Sequence, residues 1–201
     1  MKINLKEPLR RIYYRTKDFI FKKEVLNIYS NKFIPTLDIS KTYDKLEIRQ
    51  CFKEDSHLIL AVGDNISVEK LNSRLKRNDS CFVALLDGIP VHFSWVSFDL
   101  MRISEISYEH KLRKNEAFIY HCFTCPEFRG KGIYPFVLSY IAGLLRKNGT
   151  KNILISAIKR NESSCRGILK AGFAQDTFIF YLRLLGIKFY HKMQNSLIEC
   201  K

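Results

Sequence analysis

One twelve-residue stretch constrains this chain more than any other: Thr124-Cys125-Pro126-Glu127-Phe128-Arg129-Gly130-Lys131-Gly132-Ile133-Tyr134-Pro135. Upstream, Glu116 to Thr124 reads as a strand of apolar and aromatic residues. Downstream, Pro135 to Arg146 reads as a helix, with Val137, Leu138, Ile141, Leu144 and Leu145 on one face and Gly149 ending it. A glycine turn between strand and helix presents backbone N–H groups that lack intrahelical acceptors, and the helix dipole adds positive potential. Such a turn can cradle a pyrophosphate, because glycine lets the anion reach the backbone where a Cβ would hold it away. Equally, it can be a plain strand-to-helix connection, so the turn alone does not decide a function.

The flanking pattern is a mixed sheet with helices. Leu46-Glu47-Ile48-Arg49 alternates as a strand, and Ser67 to Arg77 is a short helix with Val68, Leu71 and Leu75 on one face. Strands Cys81 to Leu86 and Ile89 to Ser97 are joined by Asp87-Gly88, a specific hairpin signal. Ile153 to Ile158 is a strand, Asn161 caps the next helix, and the tail from Phe173 holds one or two further strands. With 201 residues, 46% of them hydrophobic, a sizeable core is available, and no repeat is visible. No uninterrupted apolar run approaches the ~20 residues of a membrane span.

Residues 1–44 read differently, as an N-terminal appendage to a domain at 45–201. Leu5, Leu9, Ile12, Thr16, Phe19 and Ile20 recur near helical spacing, with Lys6, Arg10, Arg11, Arg15 and Lys17 mostly elsewhere on the wheel. That stripe either docks on the main domain or, through residues 5–20, makes peripheral contact with an anionic membrane. Phe19 to Tyr29 is a possible strand, and Pro35 breaks what precedes it.

Thirty-four Lys and Arg against 20 Asp and Glu give a net charge of +14. That balance suits a phosphate-rich ligand, an anionic surface or nucleic acid, or is only a solvated lysine surface. The stretch Arg10-Arg11-Ile12-Tyr13-Tyr14-Arg15 interleaves cations with aromatics, but nucleic acid is the disfavoured partner. Six cysteines sit at irregular spacings, and Met1 to Arg11 is charged throughout rather than signal-like, so reduced thiols and a cytoplasmic location are expected. Cys122-x-x-Cys125 lacks the second pair a structural zinc would want, and no metal is expected.

The turn also resembles the acyl-CoA-binding motif of the GNAT acetyltransferase superfamily, Gln/Arg-x-x-Gly-x-Gly/Ala. Arg129-x-x-Gly132 meets it, with Tyr134 where the last small residue belongs. A second signature follows in order, Asn161-x-x-Ser164 and then Lys170-Ala171-Gly172-Phe173, and the likeness covers about residues 45 to 185. The RGKGIYP form and the extended N-terminus are similar to acetyltransferases encoded with bacterial surface-polysaccharide enzymes. The resemblance implies an α/β (α+β) fold, with a mixed, mostly antiparallel sheet splayed at its centre, flanked by helices and holding acetyl-CoA as cosubstrate. It implies that Arg129, Gly130, Lys131, Gly132, Ile133 and Tyr134 hold the pyrophosphate through backbone amides. Phe123, Thr124 and Cys125 would pair with pantetheine and polarise the thioester carbonyl. Asn161, with Ser164 in its motif, would meet the pantetheine arm, a role compatible with capping the helix.

The proton-transfer groups are less clear. Family members often carry a base where this chain has Phe118 and an acid where it has Ile168, and neither side chain can serve. The base candidates are therefore His121, Tyr120 and Glu116, acting directly or through water, with His92, His57 and Tyr108 outside this strand. Strand alternation puts Glu116, Phe118, Tyr120 and Cys122 on one face and His121 on the other. His121 has the near-neutral pKa a base wants, yet a hydrogen-bonded structural histidine is equally in keeping with a central strand. Trp95 reads as core or substrate platform. The resemblance implies transfer of an acetyl group from CoA to a small primary amine, a nucleotide-linked amino sugar being one acceptor. A protein or peptide N-acetyltransferase and a non-catalytic acyl-CoA-binding protein are the competing readings.

Overall fold

Strand β1 (Phe21–Asn31) is followed by β2 (Leu46–Cys51), helices α1 (Ser56–Ala61) and α2 (Val68–Lys76), and the hairpin β3 (Ser80–Leu86) and β4 (Ile89–Ser97). Next come a small hairpin, β5 (Leu100–Ile103) and β6 (Tyr108–Lys111), then β7 (Glu116–Thr124), α3 (Ile133–Lys147), β8 (Asn152–Ile158), α4 (Glu162–Lys170), β9 (Ala174–Leu184) and β10 (Ile187–Gln194). These elements come from a computed structural model that describes residues 16, 18–31, 45–64 and 66–195. The stripe residues Leu5, Leu9 and Ile12, and Pro35, lie outside the described residues, as does Cys200; the five described cysteines are free.

Local signals account for several element ends. Asp87 and Gly88 both take positive φ, 51° and 79°, the backbone that a two-residue hairpin with matching twist requires. Ser67 caps α2 by accepting from the Lys70 amide at 3.3 Å, and Asn161 caps α4 by accepting from the Ser164 amide at 3.2 Å.

Eight strands form one sheet in the order β10-β9-β1-β8-β7-β4-β3-β2, and β7–β8 is its one parallel pair. That pair runs only from Glu116↔Asn152 to Ile119↔Ile155; beyond it the two strands part. Helices α3 and α4 cover one face, burying Val137, Leu138, Ile141 and Ile168 with Val96, Ile119 and Ile155. On the other face, Ile59 and Leu71 pack with Phe93 and Trp95, and the β5–β6 hairpin packs with Phe118 and Tyr181. Trp95 is fully buried and so belongs to the core.

Two features depart from the sequence-based expectation. Residues 21–31 fall in the stretch assigned to an appendage, yet β1 is an inner strand between β8 and β9, with Leu26, Ile28 and Tyr29 at most 4% exposed. Its partners lie more than a hundred residues away in sequence, so no local pattern announces the pairing. The second departure is a β-bulge. Trp95 pairs with Tyr120 and Phe93 with Phe123, so two steps on β4 oppose three on β7. His121 sits at the bulge with φ +46°, in the left-handed region. The extra residue inverts the alternation: Phe118 and Tyr120 stack on the β5–β6 side, whereas Cys122 packs toward α3 and α4. Cys122 therefore does not share the Phe118 face. The Cys125 thiol points elsewhere, donating to the Val62 carbonyl at 3.1 Å.

Candidate functional site

Where β7 and β8 part, a cleft of about 590 Å³ opens between the end of β7, the N-terminus of α3 and one face of α4. Gly130 and Gly132 enter α3 at φ +77° and +83°, and Gly132 is its N-cap. A Cβ built on either glycine meets no protein atom within 4 Å, because both face open space at the cleft. The first-turn amides of Ile133 and Tyr134 have no intrahelical acceptor, and Pro135 carries no N–H to satisfy. The cleft thus ends in a concave set of donors at the positive end of a fifteen-residue helix.

Phe123, Thr124, Arg129, Gly130, Gly132, Ile133, Tyr134, Asn161 and Ser164 all line this cleft. Cys125 and Lys131 are not among its lining residues; Cys125 faces Val62, and the Lys131 ammonium lies over the Phe128 ring. Arg129 donates through Nε to the Thr124 carbonyl at 3.0 Å and stacks on Phe123. Ser163, Arg166, Gly167 and Lys170 also line the cleft and were not foreseen. Their spacing of three and four residues puts them on one face of α4, the signal that could have found them. Arg166 and Lys170 add two cations to a cleft that already holds Arg129.

Tyr134 closes the inner end. Its hydroxyl lies 3.3 Å from Ser164 Oγ, and burial pushes its phenol pKa well up, keeping it protonated. Its ring packs on Gly167 so closely that a Cβ there would sit 2.5 Å from Tyr134 Cδ1. Gly167→Ala must therefore displace the ring. The expected result is a loss of about 1–3 kcal/mol on chemical denaturation, because the displaced Tyr134 ring is a packed wall of the cleft.

Behind Thr124 lies His92, fully buried, with Nδ1 2.7 Å from Thr124 Oγ1 and Nε2 2.8 Å from Ser94 Oγ. Burial pushes its pKa down to about 3. His92 is thus a neutral brace for the cleft wall and not a base for neutral-pH chemistry. Unfolded, it would titrate near 6.5, so the stability it contributes is present above that pH and is lost as pH falls toward 3. Denaturant titrations from pH 7 to 4 should give a slope for His92→Gln shallower than wild type by about 1.4 kcal/mol per pH unit.

A second polar cluster sits at the bulge, on the face away from α3. His121 Nε2 is 2.5 Å from Asp64 Oδ2, and Nδ1 is 2.5 Å from Arg74 Nη1. The Arg74 guanidinium also lies over the rings of Trp95 and Tyr120. Tyr120 donates to Asp79 Oδ2 at 2.8 Å, and burial with the Asp79 charge pushes its phenol pKa up. Burial first, then the Arg74 charge, pushes the His121 pKa down, against the opposing pull of Asp64. His121 and Tyr120 are thus brought together, whereas Glu116 is not. It lies at the opposite end of β7, accepting from the Arg113 amide and from Asn152 Nδ2, each at 3.0 Å. Phe118 and Ile168 are buried core. His57 is on the surface near the Glu54 carbonyl, and the Tyr108 ring packs at a tilt against Tyr190.

No protein-family model matches the sequence, and no curated protein matches it significantly. Solved structures do match. A GCN5-related N-acetyltransferase from Sphaerobacter thermophilus superposes with a TM-score of 0.60 at 12% identity, over 92% of this chain and 56% of its own. A GNAT-family acetyltransferase from Colwellia psychrerythraea gives 0.57 at 15% identity, over 85% and 56%. The fold is that of the GNAT acetyltransferases. A conserved protein of unknown function from Staphylococcus epidermidis is similar to the same extent, with a TM-score of 0.58 at 15% identity over 90% and 68%. The chain spans little more than half the length of the two GNAT acetyltransferases. The stretch from Arg129 to Tyr134 lies at the cleft where β7 and β8 part.

Proposed function

We propose that this chain is an acyl-CoA-dependent N-acyltransferase that moves an acetyl group from CoA to a primary amine. The observation that supports it best is the paired left-handed glycines at the N-terminus of α3, opening into a cleft that also carries Arg129, Arg166 and Lys170. Amides of 130–134 bind the pyrophosphate, and the three cations meet the remaining phosphate charge. Asn161 uses Oδ1 for its cap and offers Nδ2 to pantetheine. The end of β7 orients the thioester and polarises its carbonyl for direct attack by the amine.

His121 is the base. Burial and Arg74 keep its imidazole neutral, Asp64 fixes the proton on Nε2, and Nδ1 is the accepting nitrogen. An incoming ammonium takes the place of the Arg74 guanidinium, gives one proton to Nδ1 and attacks the thioester carbonyl as the free amine. The tetrahedral adduct collapses with cleavage of the C–S bond, and the CoA thiolate takes the nitrogen's second proton and leaves as the free thiol. The imidazolium so formed is stabilised by Asp64. Tyr120, held protonated, braces Asp79 and Arg74 rather than accepting a proton.

Within this reading the acceptor is of the amino-sugar type, and a nucleotide-linked amino sugar would bring a second phosphate group that a net charge of +14 favours. Free-thiol release from acetyl-CoA, measured across amino sugars, nucleotide-linked amino sugars, polyamines and peptides, tests this. Release dependent on an amino sugar is expected. Release only with peptides would replace the acceptor, and acetyl-CoA binding without release for any amine would overturn catalysis itself.

A further inference from the structure

Ten of the seventeen large apolar side chains exposed among the described residues fall at 19–21 and 180–193. Scattered exposure of this kind is ordinary, but six of these ten are joined. Phe21 pairs with Leu184 in the β1–β9 ladder. The Leu185 amide donates to the Ile20 carbonyl at 2.9 Å and the Gly186 amide to the Phe19 carbonyl at 2.8 Å. Gly186 lets the Phe19 ring lie against the turn, since a Cβ there would be 2.7 Å from Phe19 Cε2. The tip of the β9–β10 hairpin and the entry to β1 therefore form one knob. On it Phe19, Ile20, Phe21, Leu184, Leu185 and Ile187 are each 47% to 64% exposed.

Cations lie beside the knob, Lys22, Arg183 and Lys188 forming the cross-strand row next to Phe21, Leu184 and Ile187. Residues 18–23 and 183–193 contain Lys22, Lys23, Arg183, Lys188 and Lys192 against one carboxylate, Asp18, which pairs with Lys22. We propose that this knob docks the protein on an anionic lipid bilayer, its apolar side chains entering the interface while the adjacent cations meet the headgroups. Lysine stems can lie along the apolar surface with their ammonium groups in the headgroup layer. The knob shares Phe19 and Ile20 with the stripe at residues 5–20 and adds Phe21 and the β9–β10 tip, and it does not depend on the acyltransferase reading.

A second copy of the chain fits less well. β10 is an edge strand exposed along its whole length and bears Lys188 and Lys192, which guard an edge against pairing. Antiparallel pairing of two β10 strands about Tyr190 would set Lys188 opposite Lys192, a like-charge cross-strand pair.

Flotation of the full chain with phosphatidylcholine vesicles, alone or mixed with phosphatidylglycerol, tests the proposal. Binding to the mixed vesicles is expected, at least about tenfold tighter than to neutral ones and falling as salt rises. The double variant Leu185→Asn/Ile187→Thr should lose at least about tenfold in vesicle binding with CoA affinity unchanged. Asparagine suits the left-handed φ of +48° at 185, and threonine suits the strand, so the variant should remain folded. Failure of the wild type to float, or flotation of the folded variant equal to wild type, would overturn the proposal. So would a sedimenting dimer that the same variant dissociates.

Discussion

Replacing Gly132 by valine is expected to abolish CoA binding in a protein that still folds. The position has φ +83° and ψ 1°, a backbone that costs an L-residue on the order of 1–3 kcal/mol. A modest fall in thermal stability should therefore accompany the change. The loss of binding has a separate cause. The added Cβ would meet no protein atom, so on the proposed reading the two methyl groups would stand where the pyrophosphate binds. Calorimetry should show a weakening of at least about 100-fold, equivalent to some 2.7 kcal/mol. Gly132→Asn separates the two effects, since asparagine tolerates the left-handed backbone yet still fills the cradle. Gly143→Ala, on the same helix in ordinary geometry and open space, should leave CoA binding intact.

The second large effect concerns the proton. His121→Ala should lower kcat by about 10²–10⁴-fold with little change in CoA affinity, the scale of a lost general base. The pH profile carries the finer signature. A base works unprotonated, so kcat/KM falls as pH drops through its pKa, and for His121 that fall should come below the ordinary histidine range. Arg74→Gln removes the charge that opposes protonation, so the acid limb should move to higher pH. Asp64→Asn removes the charge that favours it, so the limb should move lower. If His121→Ala and Tyr120→Phe each cost less than tenfold and the limb does not move, the acceptor amine reaches the site already deprotonated.

Much of the scaffold was legible because its signals are local. Asp87-Gly88 announces the β3–β4 hairpin, the apolar face from Val137 to Leu145 announces α3, and Asn161 announces the start of α4. The geometry of the glycine turn was legible too, since its left-handed backbone depends on a few consecutive residues. What sequence did not show was long-range. β1 finds its partners across the chain, and the polar stretch after Ser97 hides the β5–β6 hairpin because its few apolar residues are spent on the face of β1, β7, β8 and β9. The bulge at His121 costs one residue of register and reverses which side Cys122 and Thr124 face, which no count of alternating residues reveals. The partners of His121 come from positions 57 and 47 residues away. His121 was visible as a titratable side chain, while its clasp exists only in three dimensions.

Hydrogen–deuterium exchange with and without CoA tests the central claim most directly, because it needs neither a variant nor a known acceptor. Amides at the start of α3 and along the glycine turn have no helical acceptor and should exchange freely in the unliganded protein. With CoA, strong protection is expected at 130–134 and at 122–124, with weaker protection at the start of α4 and none in β2 or the β9–β10 tip. Protection centred elsewhere, or no protection at saturating CoA, would contradict the assignment of this cleft.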